Sequence, residues 1–499
     1  MRMFVLLSLL LAAAPLRALE LLIKPSPEKA VGETEIQASS EPAKGDEINA
    51  PNKVLPGEPA VRKNYLLPAV EIPLFLLGLN AYDRKRYGEA VYGTNFGTFK
   101  EHLLHGHWQY DQDPFAINQF AHPLQGALMY DFARSSGLNF WESALYSNAG
   151  SFLWKMGGET GQPSRNDQIT TGNAGAIFGE ELYRMGSLVL ERGGKDGEKP
   201  AAWREWTAAL ISPPTGLNRL MFGDRYKWME SRDPATFTRL RVGQDSSGQV
   251  KDTRPDHASV RPGAVVDFTM DYGLPGKDGY RYLRPLDYFS FEITGAANAG
   301  DNPIANVLTR GLLFGSKYEA GDDYRGVWGL YGSYDYISPR IYRVSSTAGS
   351  LGTTAQWWLS KKTALQGTAL AGVGFGAAGS TNGTGVPVAG ERDYHYGTTP
   401  QALLALRLLL HDRVMLDATG REYFVSRLGG TEAGSENISR VDASATVRVF
   451  GHQALGVNYV FSRREARYPG TPVRHQSVST VGVAYTLLGD PHLGAVDWR

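Results

Sequence analysis

The chain has 499 residues with 51 basic against 51 acidic, 58 glycines and no cysteine. Balanced charge excludes the basic footprint of a nucleic-acid binder, and the lack of cysteine excludes a disulfide framework and a lipoprotein anchor. A mean hydropathy of -0.29 suits a soluble protein, but it also suits a membrane barrel, whose strands turn every second side chain to a polar lumen.

Met1-Arg2-Met3-Phe4 and the run Val5–Leu11 form a positive n-region and an apolar h-region, followed by Ala12-Ala13-Ala14 and Arg17-Ala18. This pattern predicts a signal peptide over 1–18, too short for a spanning helix. Residues 19–63, rich in Glu, Lys, Pro, Ala and Ser, bury too little to offset ordering entropy and read as a disordered periplasmic lead-in. Leu66–Leu79 is apolar but carries Pro68, Glu71 and Pro73, so it reads as a buried or interfacial segment rather than a spanning helix.

Residues 64–230 read as a helical domain. Phe115–Phe132, Phe140–Met156, Thr171–Leu190 and the shorter Trp203–Leu210 have helical spacing, with turns at Ser135-Ser136-Gly137 and from Gly157 to Pro163-Ser164. Apolar residues lie almost all round these helices, so protein or lipid must surround them.

Residues 231–488 change period. In Val441-Asp442-Ala443-Ser444-Ala445-Thr446-Val447-Arg448-Val449 every odd position is apolar and every even one polar, the mark of a strand with one face in oil and the other in water. Phe289–Gly295, Val307–Tyr318, Tyr324–Tyr336, Thr363–Gly376, Gln401–Leu410, Arg413–Arg421, Leu455–Phe461 and Val481–Leu487 repeat the theme. Their number predicts a transmembrane antiparallel β-barrel of about 12 strands, even in count. Tyr288, Tyr318, Trp357, Trp358 and Tyr423 suit aromatic girdles. In Gly372-Val373-Gly374-Phe375-Gly376 the alternating glycines mark tight lumen packing or curvature rather than a nucleotide loop. A tail, 489–499, runs past the last strand, whereas such barrels usually end on an aromatic residue.

Within the helical domain, Asn118-Gln119-Phe120-Ala121-His122-Pro123-Leu124-Gln125-Gly126, Ala133-Arg134-Ser135-Ser136-Gly137, Trp141-Glu142-Ser143, Trp154 with Glu159, Pro163-Ser164-Arg165-Asn166-Asp167, Gly179-Glu180 and Pro214-Thr215-Gly216-Leu217-Asn218-Arg219 occur in order. In these motifs residues 64–230 resemble a bacterial family known as domain of unknown function 3943. The resemblance implies an envelope location in Gram-negative bacteria and no established activity.

Two constellations are candidates for chemistry. The first is Asn118, His122, Arg134, Glu142, Glu159, Asp167 and Glu180, a set able to converge among packed helices as acid and base. His122 leads, because its charge changes near neutral pH. The bland alternative is that these groups only satisfy one another. The second is a pair of His-x-Ser motifs, His257-Ala258-Ser259 and His475-Gln476-Ser477. On a strand such residues share a face, and Glu465 across a hairpin is placed to orient His475. Outer-membrane lipid hydrolases use a His-x-Ser of this kind, though chance alone supplies about one such pair in a chain of this composition.

The sequence thus predicts a mainly β envelope protein, with an N-terminal α-helical domain packed in or under the barrel. Its role is expected to be structural or transport-related. The alternatives are a lipid-modifying hydrolase and a soluble periplasmic β-domain. No cofactor and no metal are expected, since neither HExxH nor ExxH spacing occurs. The expected partners are outer-membrane lipid and the barrel-assembly machinery, not nucleic acid.

Overall fold

The computed structural model describes residues 63–191, 200–223, 231, 233–248, 251–252, 262–297, 303–339, 342–379, 394–429, 434–490 and 492–498. The expected signal peptide, nearly all of the lead-in and the His257–Ser259 pair lie outside the described residues.

The N-terminal part is helical: α1 (Leu66–Tyr87), α2 (Glu89–Tyr92), α3 (Phe96–His105), α4 (His122–Ser135, entered through a π-turn at Ile117–Ala121), α5 (Phe140–Gly157), α6 (Arg165–Ile169, a π-turn at Thr170–Ala174, then Gly175–Glu191), α7 (Ala202–Ile211) and α8 (Pro213–Phe222). Helices α4 and α6 cross where Gly126 meets Gly175. A Cβ on Gly126 would fall 1.8 Å from the Thr171 carbonyl oxygen, so only glycine permits this approach. Helix α1 continues through Pro73 and Glu71, further than the sequence suggests. Its Ile72, Leu76 and Leu79 are buried while Leu66, Val70, Leu74 and Leu77 are exposed, and it is long and apolar enough to cross a membrane.

The strands are β1 (Thr236–Ser247), β2 (Gly263–Tyr272), β3 (Phe289–Ala296), β4 (Ile304–Ala320), β5 (Tyr324–Ile337), β6 (Arg343–Ser360), β7 (Thr363–Gly379), β8 (Tyr394–Leu410), β9 (Val414–Val425), β10 (Ser435–Phe450), β11 (Gln453–Arg467) and β12 (Arg474–Leu488). The sheet holds 13 paired segments, one of them only Lys251–Asp252, which leaves the twelve-strand barrel expected from the sequence. Each strand pairs antiparallel with its neighbours. The sheet closes where Arg239 of β1 lies opposite Leu488 of β12 and Ser247 opposite Thr480. Closure leaves no long unpaired edge, which a membrane requires.

The two faces follow the alternation. Val441, Val447 and Val449 point outward and are exposed, whereas Thr446 between them is buried. Leu404, Leu406, Leu410, Leu455, Val457, Val481 and Val483 extend the same exposed band. Glycines 372, 374 and 376 fall on the inner face, where added Cβ atoms would strike backbone of β6; this is the tight packing read from the sequence. The girdle assignment needs correction. Trp358 and Tyr423 are buried on the inner side because they share strand parity with lumen residues, and Tyr288 is buried at the end of the β2–β3 loop; Trp357 remains exposed outside and Tyr318 half-buried.

Hairpins β4–β5, β6–β7, β8–β9 and β10–β11 all turn tightly at one end of the barrel, where the long β2–β3 loop also lies, and the β1–β2, β7–β8 and β9–β10 connections lie at the other. The short-turn mouth is filled. Leu274, Tyr280, Tyr282 and Tyr288 from the β2–β3 loop pack with Leu493 and Val496 of the tail against inner-wall Phe237, Leu312, Tyr331, Leu409 and Met415. Trp358 Nε1 donates to the Asp497 carbonyl, Gln366 to that of Gly494, and Trp498 Nε1 to Asp412. The tail that departs from the usual barrel ending is therefore an inward lining.

The helical domain is not in the lumen. Phe115, Phe120, Ile177, Phe178, Leu182 and Met185 pack with Met270, Tyr272, Phe289, Phe291, Val307, Tyr334, Tyr336, Tyr394 and Tyr396. Those strand residues share the outward parity: Tyr336 pairs with Val307, which pairs with Ile293, in line with the exposed Val242 row through β2. The helices thus lie against the outer wall over β2–β8, a correction to the expected place in or under the barrel. The reason is polarity. The inner wall carries Arg239–Asp417, Arg241–Asp267, Arg407–Asp271 and Arg440–Asp442 pairs, which apolar helices cannot face without stranding charge. The outer wall offers aromatic rings.

Candidate functional site

The sequence-predicted helical constellation separates into three places. At the first, helices α4, α5 and α6 bring His122, Lys155, Glu159 and Asp167 together with Asp111 and Asp113 from the segment before α4. A short ladder puts them there: Gln109 bridges to Ser164, Arg165 N–H donates to the Gln109 carbonyl, and Asp111 N–H donates to Asn166 Oδ1 at 2.8 Å. Asp167 occupies the first turn of α6, where the helix dipole favours a carboxylate. Two of these three helices, α4 and α6, carry a π-turn beside it, a feature frequent at functional sites.

Lys155, though buried, reaches Asp167 Oδ2 at 2.6 Å, Glu159 Oε2 at 2.9 Å and Asp111 Oδ2 at 3.9 Å. Ser164 Oγ–H and Asn166 Nδ2–H also donate to the Asp167 carboxylate, and Trp154 Nε1–H donates to Glu159 at 2.9 Å. Burial works against the Asp167 charge, but His122 and Lys155 outweigh it and hold this carboxyl below its ordinary range. Burial works against the Lys155 charge too, yet Asp167, Glu159 and Asp111 keep it protonated. Asp111 moves the other way: burial first, then Asp167 and Asp113, push it up. Asp113 is also raised, by burial and then Glu159. His122 is 5% exposed. Its Nδ1 faces Gln125 Oε1 at 3.3 Å and its Nε2 stands 3.5 Å from Asp167 Oδ2. Since Ser164 gives its proton to Asp167, the cluster does not present a serine activated by His122.

The second place is a clamp. Glu180 accepts from Tyr130 at 2.6 Å, Arg134 at 2.8 Å and Arg184 at 2.7 Å. Burial opposes its charge while Arg134 and Arg184 favour it, and the net result is a lowered carboxyl. It joins three helical turns and stands apart from His122. At the third, Glu142 completes the Asn139 capping box of α5 and takes Lys63 at 2.8 Å. Asn118 donates to Tyr394 on the barrel wall at 2.8 Å, and Tyr394 donates to the Asp113 carbonyl.

On the barrel, His475 and Glu465 are register partners and their side chains meet at 3.5 Å, the pairing anticipated from the hairpin. Glu465 also binds Arg467 at 2.5 Å and Arg463 at 3.7 Å, and Arg463 lies opposite Ser477. All point outward on an open surface.

Sequence reasoning missed Asp111, Asp113 and Lys155. The signals were present: Asp111 and Asp113 are two apart in an extended run, and Lys155 precedes Glu159 by one helical turn. It also missed the lumen cavity of about 230 Å³ lined by Arg239, Arg241, Asp267, Glu292, Arg421 and Asp442.

A family model described as domain of unknown function (DUF3943) matches residues 107–214, the stretch that contains the first and second places. No curated protein matches the chain. Among solved structures, a TodX monoaromatic hydrocarbon channel mutant is 10% identical, with 57% of this chain and 94% of that one covered at a TM-score of 0.20. The outer membrane channel DcaP of Acinetobacter baumannii is also 10% identical, with 51% and 96% covered at 0.25. Pseudomonas aeruginosa OpdQ is 11% identical, with 51% and 98% covered at 0.18. Likeness this low carries no weight for function, and the barrel stands on its own closed register. What the chain carries over residues 107–214 is a domain matching the DUF3943 family, seated on the outer wall of a closed twelve-stranded antiparallel β-barrel.

Proposed function

We propose that this protein resides in the outer membrane as a closed barrel and anchors its helical domain there, rather than serving as an open pore. The observation that carries this reading is the filled short-turn mouth, where the β2–β3 loop and the tail pack as one apolar layer against the inner wall. The exposed valine and leucine band supports a lipid contact, and short turns at one end suit a periplasmic mouth. Export by a signal peptide and insertion by the barrel-assembly machinery belong to the same reading. Trp141 of α5 stacks on outward Phe314 of β4 at 5.2 Å, so the exposed apolar surface of the domain is continuous with the lipid band.

A transport-related role is the second reading, favoured by the charged cavity on the long-loop side of the plug. Planar-bilayer conductance separates the two. The purified chain is expected to be silent, and a variant lacking residues 489–499 to conduct, with both keeping the heat-modifiable gel mobility of a folded barrel. Steady ohmic conductance from the intact chain would overturn the anchoring reading.

A further inference from the structure

We infer that Asp111, Asp113 and His122 form a binding site for a divalent transition-metal cation of the zinc or manganese type. One oxygen of each aspartate and a ring nitrogen of the histidine lie within 4.8 Å of one another, close enough to share a single ion after small side-chain rotations. Two carboxylates and an imidazole form a mixed oxygen and nitrogen set, which suits such cations better than calcium, an ion that takes oxygen alone.

The histidine supplies the independent sign. It is 5% exposed, and among the described residues its Nε2 makes no hydrogen bond, with Asp167 Oδ2 the near neighbour at 3.5 Å. A buried imidazole nitrogen whose near contact is a carboxylate too far for a hydrogen bond is unusual, because buried polar groups are normally satisfied. Gln125 Oε1 lies 3.3 Å from Nδ1, so in the tautomer with the proton on Nδ1 the Nε2 lone pair is open to a cation, as in metal-bound histidines whose other nitrogen is fixed.

Charge points the same way. Four carboxylates (Asp111, Asp113, Glu159 and Asp167) face one ammonium. Lys155 sits at 2.6 Å from Asp167 and 2.9 Å from Glu159 but 3.9 Å from Asp111, so its charge is claimed by the other pair. The aspartates are held from behind: Asp113 N–H donates to Asp111 Oδ1 at 2.9 Å, and the Asp113 carbonyl accepts from Tyr394 at 2.7 Å. The wall of the barrel thus helps set the ligands, which gives the domain a reason to be docked there. A divalent cation would bind the imidazole Nε2 and balance the two aspartates together.

The test uses the full chain purified in detergent, stripped with chelator and then loaded with zinc chloride alone. About one zinc per chain should remain after desalting, measured by mass spectrometry. Asp113→Asn and His122→Asn should each weaken retention by more than about tenfold, while His475→Ala, on the open barrel surface, should retain the metal fully. Heat-modifiable mobility verifies folding of each variant. Cobalt chloride added to the wild type gives a second readout that needs no variant, since nitrogen and oxygen ligation produces visible d–d bands. Zinc retention unchanged in both ligand variants, or no retained zinc and no cobalt bands in the wild type, would overturn the site.

Discussion

Arg184 Nη1 donates to Asp287 Oδ1 across 2.9 Å with both side chains almost wholly buried, and this pair joins helix α6 to the loop that plugs the barrel. Arg184 Nη2 donates also to the Pro285 carbonyl, and Tyr280 donates to the Asp287 carbonyl. The helical domain outside the wall and the plug inside it therefore share one hydrogen-bonded junction. Removing one partner of a buried pair strands the other charge. Arg184→Met takes a partner from both Asp287 and Glu180 and should lower stability by about 3–5 kcal/mol, read as the urea midpoint of the heat-modifiable band. A neutral single variant would contradict this junction.

The facing of β10 makes a second prediction. Val447 is exposed on the outer band and Ser444 lines the inner cavity beside Asp417. Val447→Arg should cost about 2–4 kcal/mol near the membrane midplane and impair assembly, whereas Ser444→Arg, which places its charge near a carboxylate in a polar lumen, should be tolerated. Thr446 is the poorer inward control, because it is buried at 1% exposure and has no room for a larger side chain. Similar yields for Val447→Arg and the wild type would mean that no lipid meets this face.

Glu180 sets an acid limit. Its carboxyl is held below its ordinary value in the fold, with Arg134 and Arg184 outweighing burial. A depressed carboxyl contributes stability that is present above the unfolded value, about 4.3, and is lost as pH falls through the folded value. The wild type should therefore weaken steadily in acid below about pH 4. Glu180→Gln should be less stable at neutral pH and show a flatter acid limb, measured by unfolding midpoints against pH. Parallel curves for the two proteins would remove Glu180 from the explanation.

The crossing of α4 and α6 depends on Gly126. An added methyl would meet the Thr171 carbonyl at 1.8 Å and Gly175 Cα at 3.1 Å, both backbone and unable to swing aside. Gly126→Ala should destabilise the helical domain by about 1–3 kcal/mol through overpacking. The barrel should keep its heat-modifiable mobility while protease begins to cut within the helices. Unchanged protease resistance would show that the two helices do not cross this closely.

Alternation over residues such as Val441–Val449 determined the barrel, its inner and outer faces and its strand count, because a period of two is a local property of extended backbone. Helical spacing and all-round apolarity likewise determined that residues such as Phe115, Phe120 and Phe178 needed a covering wall. Which wall was a tertiary decision. The charged inner ladder and the plug of Tyr280, Tyr282, Leu493 and Val496 leave the lumen unsuitable for apolar helices, while outward Phe291, Tyr334 and Tyr396 match them. The site divided in the same way. His122, Asp167 and Glu159 were legible as a group because their types are scarce among apolar helices. Glu180 looked alike in sequence and proved to be a clamp, since only the packing gave it two arginines. Asp111, Asp113 and Lys155 joined the group through a ladder at Gln109 and Ser164 and one turn of α5. Such convergence depends on how separate segments meet in space, and no local period in the chain encodes it.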